Sequence, residues 1–269
     1  MALHDDIALQ VLGSGSFAGE IVDNYWIASG PNGGYLGALL ASAGDLHVGE
    51  VARQLRSLTV HYLLPPKLGP IAIKVETVRS GKSVEFLRLA MIQEDVPVLV
   101  ATGAWALGSE TVGNPTLTMP EVPPPNSCPS GVRLTEKPTR LHEQWEIRSV
   151  ENNRDPVNSQ DPATLAPDLT WWIRPATGTP MSSSLIVAIA DALPPPIFVT
   201  FPTLRLVPTI DLTVHIRTDL ASVNWRSDSW ALVHFSTTHA SEGFLEEDGR
   251  IWHQDGTLLG MSRQLALAR

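Results

Sequence analysis

The chain has 269 residues, 43% of them hydrophobic and 17% charged, with a formal net charge of −9. That balance suits a chain able to bury a large core and excludes nucleic acid as a main partner, because a phosphate polyanion needs a clustered Lys/Arg surface. The single cysteine, Cys128, leaves no intrachain disulfide to form, and no run approaches the ~20 apolar residues of a membrane helix, so no membrane span and a cytoplasmic location are expected.

Residues 7 to 28 alternate short apolar groups with glycine, serine and acids, and Tyr25 and Trp26 precede the turn cluster Gly30-Pro31-Asn32-Gly33-Gly34. A helix follows, filled by Tyr35, Leu36, Ala38, Leu39, Leu40 and Ala43 and expected to end near Gly44. It is nearly all apolar, so it must be covered on most sides. Strand character runs over Leu55 to Leu64, Ile71 to Arg79, Val84 to Ile92 and Val98 to Leu107, broken by Pro65-Pro66, Ser80-Gly81-Lys82 and Glu94-Asp95. Residues 55 to 107 therefore read as an antiparallel meander on the preceding helix.

Residues 108 to 138 hold seven prolines and little periodicity, which predicts a semi-rigid connection. Trp145 to Val150 reads as a short strand, Glu151 to Pro167 as a polar loop, and Trp171-Trp172-Ile173 as the start of an ordered second half. In Met181 to Val199, Ser182 to Ser184 can cap free amides, the next residues are apolar helix formers, and Pro194 to Pro196 stop the helix. Asp191 interrupts this oily run. An ionised carboxylate left buried and unpaired costs several kcal/mol or is driven to a higher pKa, so it needs partners or a purpose. Strand patterns return at Thr209 to Arg217, Trp230 to His239, Gly243 to Trp252 and Thr257 to Leu267.

The two halves match. Leu58-Thr59-Val60-His61 recurs as Leu212-Thr213-Val214-His215, each after an apolar helix and before three further strands, and Glu94-Asp95 parallels Gln254-Asp255. The expected organisation is a first unit over 1–110, a Pro-rich connection and polar loop over 111–167, and a second unit over 168–269. The matched places differ in chemistry: Leu55 stands where the second half has Thr209, and Ala41 or a neighbour where it has Asp191. Only the second unit is equipped with a candidate site.

A helix wrapped by an antiparallel sheet and duplicated in one chain is the double hotdog architecture, an α+β fold of two sheets each wrapped on a long apolar helix. The stretch from Trp26 to Ala41, the Arg79-Ser-Gly-Lys-Ser83 hairpin, Ala190-Asp-Ala-Leu-Pro-Pro195 and Asp255-Gly-Thr-Leu-Leu-Gly-Met-Ser-Arg-Gln-Leu265 resemble the thioesterase-like superfamily related to acyl-CoA thioesterase II. The resemblance spans roughly residues 17 to 107 and 170 to 268. It implies an acyl-CoA thioester as substrate, no cofactor, and a hydrolytic water held by Asp191, Thr209 and Gln264.

Those residue types suit the chemistry. Thioester hydrolysis needs an activated water and donors facing the developing oxyanion, so Asp191 serves as general base while Thr209 and Gln264 orient the water. Backbone amides at a helix N-terminus supply oxyanion donors, and Gly33 and Gly34 allow close approach. Arg79, Lys82 and Arg263 are the cations considered for coenzyme A phosphates. Along Thr209 to Arg217 the odd positions are polar and the even ones apolar, which puts Asp211, Thr213 and Arg217 on a solvated face.

Other chemistries lack their residues. Gly13-Ser-Gly-Ser-Phe17 has no kinase catalytic loop behind it, no Gly-x-Ser-x-Gly elbow is present, and the eight histidines show no zinc spacing, so no metal is expected. Two rivals remain: a double hotdog dehydratase, for which His61 is the sole histidine candidate in the first half, and an acyl-CoA binding protein without turnover. Unpaired sheet edges predict a homo-oligomer, dimer or larger.

Overall fold

The computed structural model describes residues 2–27, 30–110, 117–130, 139–150, 166–201, 203–204 and 206–268. Much of the expected Pro-rich connection and polar loop lies outside them. In the first half, helix α1 (Leu3–Asp6) precedes strands β1 (Gln10–Gly13), β2 (Ser16–Ile21), β3 (Trp26–Ile27) and β4 (Gly30–Pro31). Helix α2 (Gly33–Val48) follows, then β5 (Arg53–Tyr62), β6 (Gly69–Ser80), β7 (Val84–Gln93) and β8 (Val96–Leu107). Next come α3 (Arg140–Glu143), β9 (Trp145–Ser149), β10 (Asp168–Pro175), α4 (Ser183–Ile189) and α5 (Ile197–Thr200). The chain ends with β11 (Thr209–Ile216), β12 (Ala231–Ser236), β13 (Ala240–Ser241), β14 (Phe244–His253) and β15 (Leu258–Leu267).

Among the described residues one continuous antiparallel sheet of thirteen strands runs in the order β1-β2-β6-β7-β8-β5-β11-β15-β14-β12-β10-β9, with β13 on β14. Two separate sheets were expected; instead β5 and β11 pair with each other and fuse the halves, each satisfying a ladder edge the other would leave open. The helices cover one face. Period-two alternation sends Ile71, Ile73 and Val75 of β6 toward them and leaves Lys74 and Glu76 in solvent.

Helix α2 starts where the Asn32 side chain accepts from the Tyr35 amide at 3.0 Å and ends at Gly49, whose φ of 64° is left-handed. It thus runs a turn past Gly44. Gly44 is no terminator: a Cβ there would fall 2.1 Å from Cζ2 of Trp105, so glycine is what lets the indole lie against the helix. Helix α4 is short, seven residues, where a long one was expected. Pro194 to Pro196 have no N–H to give the carbonyls four residues back, so the ladder fails after Ala190, and residues 191 and 192 are held by three-residue bonds.

The halves are related by an approximate two-fold axis through the β5–β11 pair. Thr59 lies opposite Thr213, and His61 opposite Asp211 mirrors Ser57 opposite His215. The hydroxyls of Thr59 and Thr213 meet at 2.9 Å. Helices α2 and α4 pack against each other, each N-terminus meeting an aspartate near the other's end. Asp191 meets the start of α2 (Gly34 amide to Oδ2, 2.8 Å), and Asp45 meets the start of α4 through the Ser183 hydroxyl. Asp45 also accepts from Trp105 Nε1 at 2.6 Å, and Trp105 is fully buried.

Candidate functional site

Asp191 follows the last turn of α4, where the prolines have released the backbone. Its carbonyl, deprived of a helical donor, accepts from Asn32 Nδ2 at 2.7 Å, and its Oδ2 accepts from Asn32 Nδ2 at 3.1 Å and from the Gly34 amide at 2.8 Å. The carboxylate therefore sits on the positive end of α2, where free amides and the helix dipole favour negative charge. Burial still wins: the Asp191 pKa is pushed up from 3.8 to about 6, with the Gly34 amide, Asn32 and the Gly33 amide pulling it down.

The glycines explain how the carboxylate comes so close. A Cβ on Gly33 would lie 2.9 Å from Asp191 Oδ2 and 3.1 Å from the Tyr62 ring, and one on Gly34 would lie 2.7 Å from the Ala188 carbonyl oxygen. Their open space is taken by Asp191, Tyr62 and α4. The Tyr62 hydroxyl donates to the Gly33 carbonyl at 2.8 Å, and burial followed by the charges of Asp191 and Asp211 holds its pKa far above normal.

Thr209 begins β11, and strict alternation would turn it outward with Asp211. A bulge between Thr209 and Asp211 changes the parity, so that Thr209 lies opposite Ala266 and its hydroxyl donates to Gln264 Oε1 at 3.3 Å. Gln264 is buried, on the face of β15 that looks at the helices. Across from it on β14 is Glu247, 3% exposed, whose pKa is raised far above normal by burial and then by the Asp191 charge, while Gln264 hydrogen bonding pulls it down. Both the Asp191 charge and the Gln264 amide thus act on Glu247.

The three cations lie apart. Arg263 neighbours Gln264 but takes the opposite, exposed face, where its Nε is 3.6 Å from Asp248. Arg79 and Lys82 belong to the exposed hairpin at the Arg53 end of β5, since Arg53 donates to the Gly81 and Lys82 carbonyls. Tyr62 and Asp191 are at the other end, roughly 30 Å along the strand at ~3.3 Å per residue. His61 is exposed on the outer face, paired in register with Asp211, so the histidine a dehydratase needs does not face Asp191.

Three neighbours of the site were not singled out from the sequence. Asn32 carried a readable signal, a capping residue before a helical run. Tyr62 and Glu247 carried none: Glu246-Glu247-Asp248 looks like a solvated acidic run, and only the strand pairing turns its middle member inward. Two surface grooves, of about 310 Å³ beside Trp26, Leu68 and Arg140 and about 450 Å³ beside Ser14, Lys74 and Arg88, take no side chain from this cluster.

Residues 120–268 match the model of the acyl-CoA thioesterase C-terminal domain, and residues 22–106 that of the N-terminal domain. The chain belongs to the acyl-CoA thioesterase family. It is accordingly a thioester hydrolase by family. Solved structures agree on the fold. A conserved protein of unknown function with a hot dog fold from Alicyclobacillus acidocaldarius is 25% identical, with a TM-score of 0.89 over 99% of this chain and 97% of that one. A putative thioesterase II from Thermobifida fusca is 21% identical, with a TM-score of 0.84 over 99% and 97%. An acyl-CoA thioesterase II from Mycobacterium marinum is 18% identical, with a TM-score of 0.74 over 100% and 98%. No curated protein matches this acyl-CoA thioesterase family member. Among its described residues no helix is long and apolar enough to cross a membrane, and no cluster of His, Cys, Asp or Glu is placed to hold a metal ion.

Proposed function

We propose that the chain hydrolyses an acyl-CoA thioester to the free acid and coenzyme A, using one double hotdog site built around Asp191, Thr209 and Gln264. The observation that carries this reading is the half-buried Asp191 carboxylate, pinned to the N-terminus of α2 and lifted to about 6, where a general base works near neutral pH. Water attacks the thioester carbonyl carbon as Asp191 removes its proton, and Thr209 and Gln264 hold the water in line. The tetrahedral oxyanion collapses, the C–S bond breaks, and the leaving thiolate takes up the proton that Asp191 holds. The first amides of α2 are spent on Asp191 and Asn32, so α2 contributes to the developing charge only through the positive end of its dipole.

The test is release of free thiol from a panel of acyl-CoA thioesters, with Asp191→Asn beside the parent. Turnover by the parent and its loss in the folded variant supports the assignment. Equal turnover in both removes Asp191 as base, and binding of acyl-CoA without turnover in either favours an acyl-binding protein.

A further inference from the structure

Glu247 is the one carboxyl in this cluster to which the proposed mechanism assigns nothing. It lies on the inward face of β14 directly across the ladder from Gln264, 3% exposed, and its Oε2 has no hydrogen-bond partner among the described residues. The charged groups that act on it are Asp191 beyond the end of α4 and Asp248 on its own strand, both acidic, and the facing polar group on β15 is the Gln264 amide. No described cation pairs with it; Arg263, on the same two strands, points outward to Asp248. Burying a second anion beside Asp191 with no positive partner is far costlier than keeping a proton on it. Two nearby carboxyls in a dry place hold one proton between them, and the one with fewer donors keeps it. Asp191 has the Gly34 amide and Asn32; Glu247 has Gln264 alone.

We propose that Glu247 is a positioning residue of the Asp191 centre: an uncharged carboxylic acid that fixes the Gln264 amide from across the ladder and leaves Asp191 as the only anion there. Gln264 has a carbonyl oxygen and an NH₂ group, and water orientation depends on which faces inward. Thr209 donates to its Oε1, so the NH₂ needs another acceptor, and the Glu247 carboxyl directly across the ladder is the one this proposal assigns to it. One side of the ladder thus presents a fixed amide to the water that Asp191 deprotonates. This rests on the reading of Asp191 as base, and the experiment separates the two.

Three readouts decide. In the infrared difference spectrum of parent against Glu247→Gln at neutral pH, a protonated-carboxyl C=O band belongs to the parent and is absent from the variant, whether or not the protein turns over. Glu247→Gln keeps shape, neutrality and an acceptor for Gln264, so it holds kcat within about twofold of the parent and leaves the acid limb of the kcat/KM profile where it was. Glu247→Leu keeps the burial and removes the acceptor, so kcat falls between about tenfold and a hundredfold at unchanged KM. No carboxyl band, an acid limb displaced downward in Glu247→Gln by loss of a negative charge, or parental kcat in Glu247→Leu each overturns the proposal. A fully active Asp191→Asn overturns the base assignment instead, and the infrared band is unaffected by that result.

Discussion

Asp191 bears a load that its amide counterpart does not. With a pKa of about 6 folded against 3.8 unfolded, the folded chain holds a proton between about pH 4 and pH 6 that the unfolded chain has lost. Its contribution favours folding below the unfolded value and is lost as pH rises through 6. Asp191→Asn is therefore expected to melt above the parent at pH 7, by on the order of 1 kcal/mol after solvent screening at a partly exposed side chain, with the gap closing near pH 4. Paired thermal melts at the two pH values check this, and a lower melting point at pH 7 contradicts it. The same substitution is expected to lower kcat by roughly 10²–10⁴ with KM unchanged. Thr209→Val and Gln264→Leu are expected to act more weakly, and without adding to Asp191→Asn if, as proposed, all three hold one water. In the parent, kcat/KM should climb with pH through about 6 and then level, because only the ionised carboxylate accepts the proton.

The elements that position these residues were legible where periodicity alone decides and illegible where a local irregularity does. β5 to β8, β11, β12, β14 and β15 follow apolar alternation, and their places are legible in the sequence to within a few residues, whereas the two-residue β13 is not. Thr209 is the exception that matters: its orientation depends on a bulge, which leaves no mark in the alternation of Ile210, Leu212 and Val214. Glu247 is hidden for a like reason, since an acidic triplet says nothing about which member the ladder turns inward. The seven-residue length of α4 is likewise not legible: the prolines mark a stop, but their effect reaches back four residues and ends the helix before Asp191. Asn32 joins both ends of this arrangement, capping α2 and holding the main chain and carboxylate of Asp191. Asn32→Ala should cost about 1–2 kcal/mol in cap stability. It should also move the acid limb of kcat/KM to higher pH, because a donor that lowers the Asp191 pKa is gone. Denaturant melts and a pH profile measure the two effects on one variant, and an unmoved acid limb would detach Asn32 from the site.

At the scale of the whole molecule, fusion of β5 with β11 closes the middle of the sheet and leaves its two ends. At one end, β1 exposes Val11 and Leu12, each at 60%. An edge with apolar side chains and free ladder groups is a pairing surface. The chain is expected to be a dimer or larger at micromolar concentration, measured by light scattering, and Val11→Lys with Leu12→Lys should shift it toward monomer; a monomeric parent contradicts this. The two-fold axis through Thr59 and Thr213 has another outcome at Trp105. Asp45, the mate of Asp191 in that symmetry, meets the start of α4 beside an indole that fills the room, with Gly44 and Gly103 as glycine around its ring. In the first half the indole is thus a plug that fills the space beside that aspartate. A plug can be pulled and handed back. Trp105→Gly should lose about 3–5 kcal/mol and leave an indole-shaped hole with the Asp45 carboxylate on its wall. Free indole added to that variant should bind the hole and restore part of the lost melting temperature, in proportion to its concentration, without opening a second hydrolytic centre.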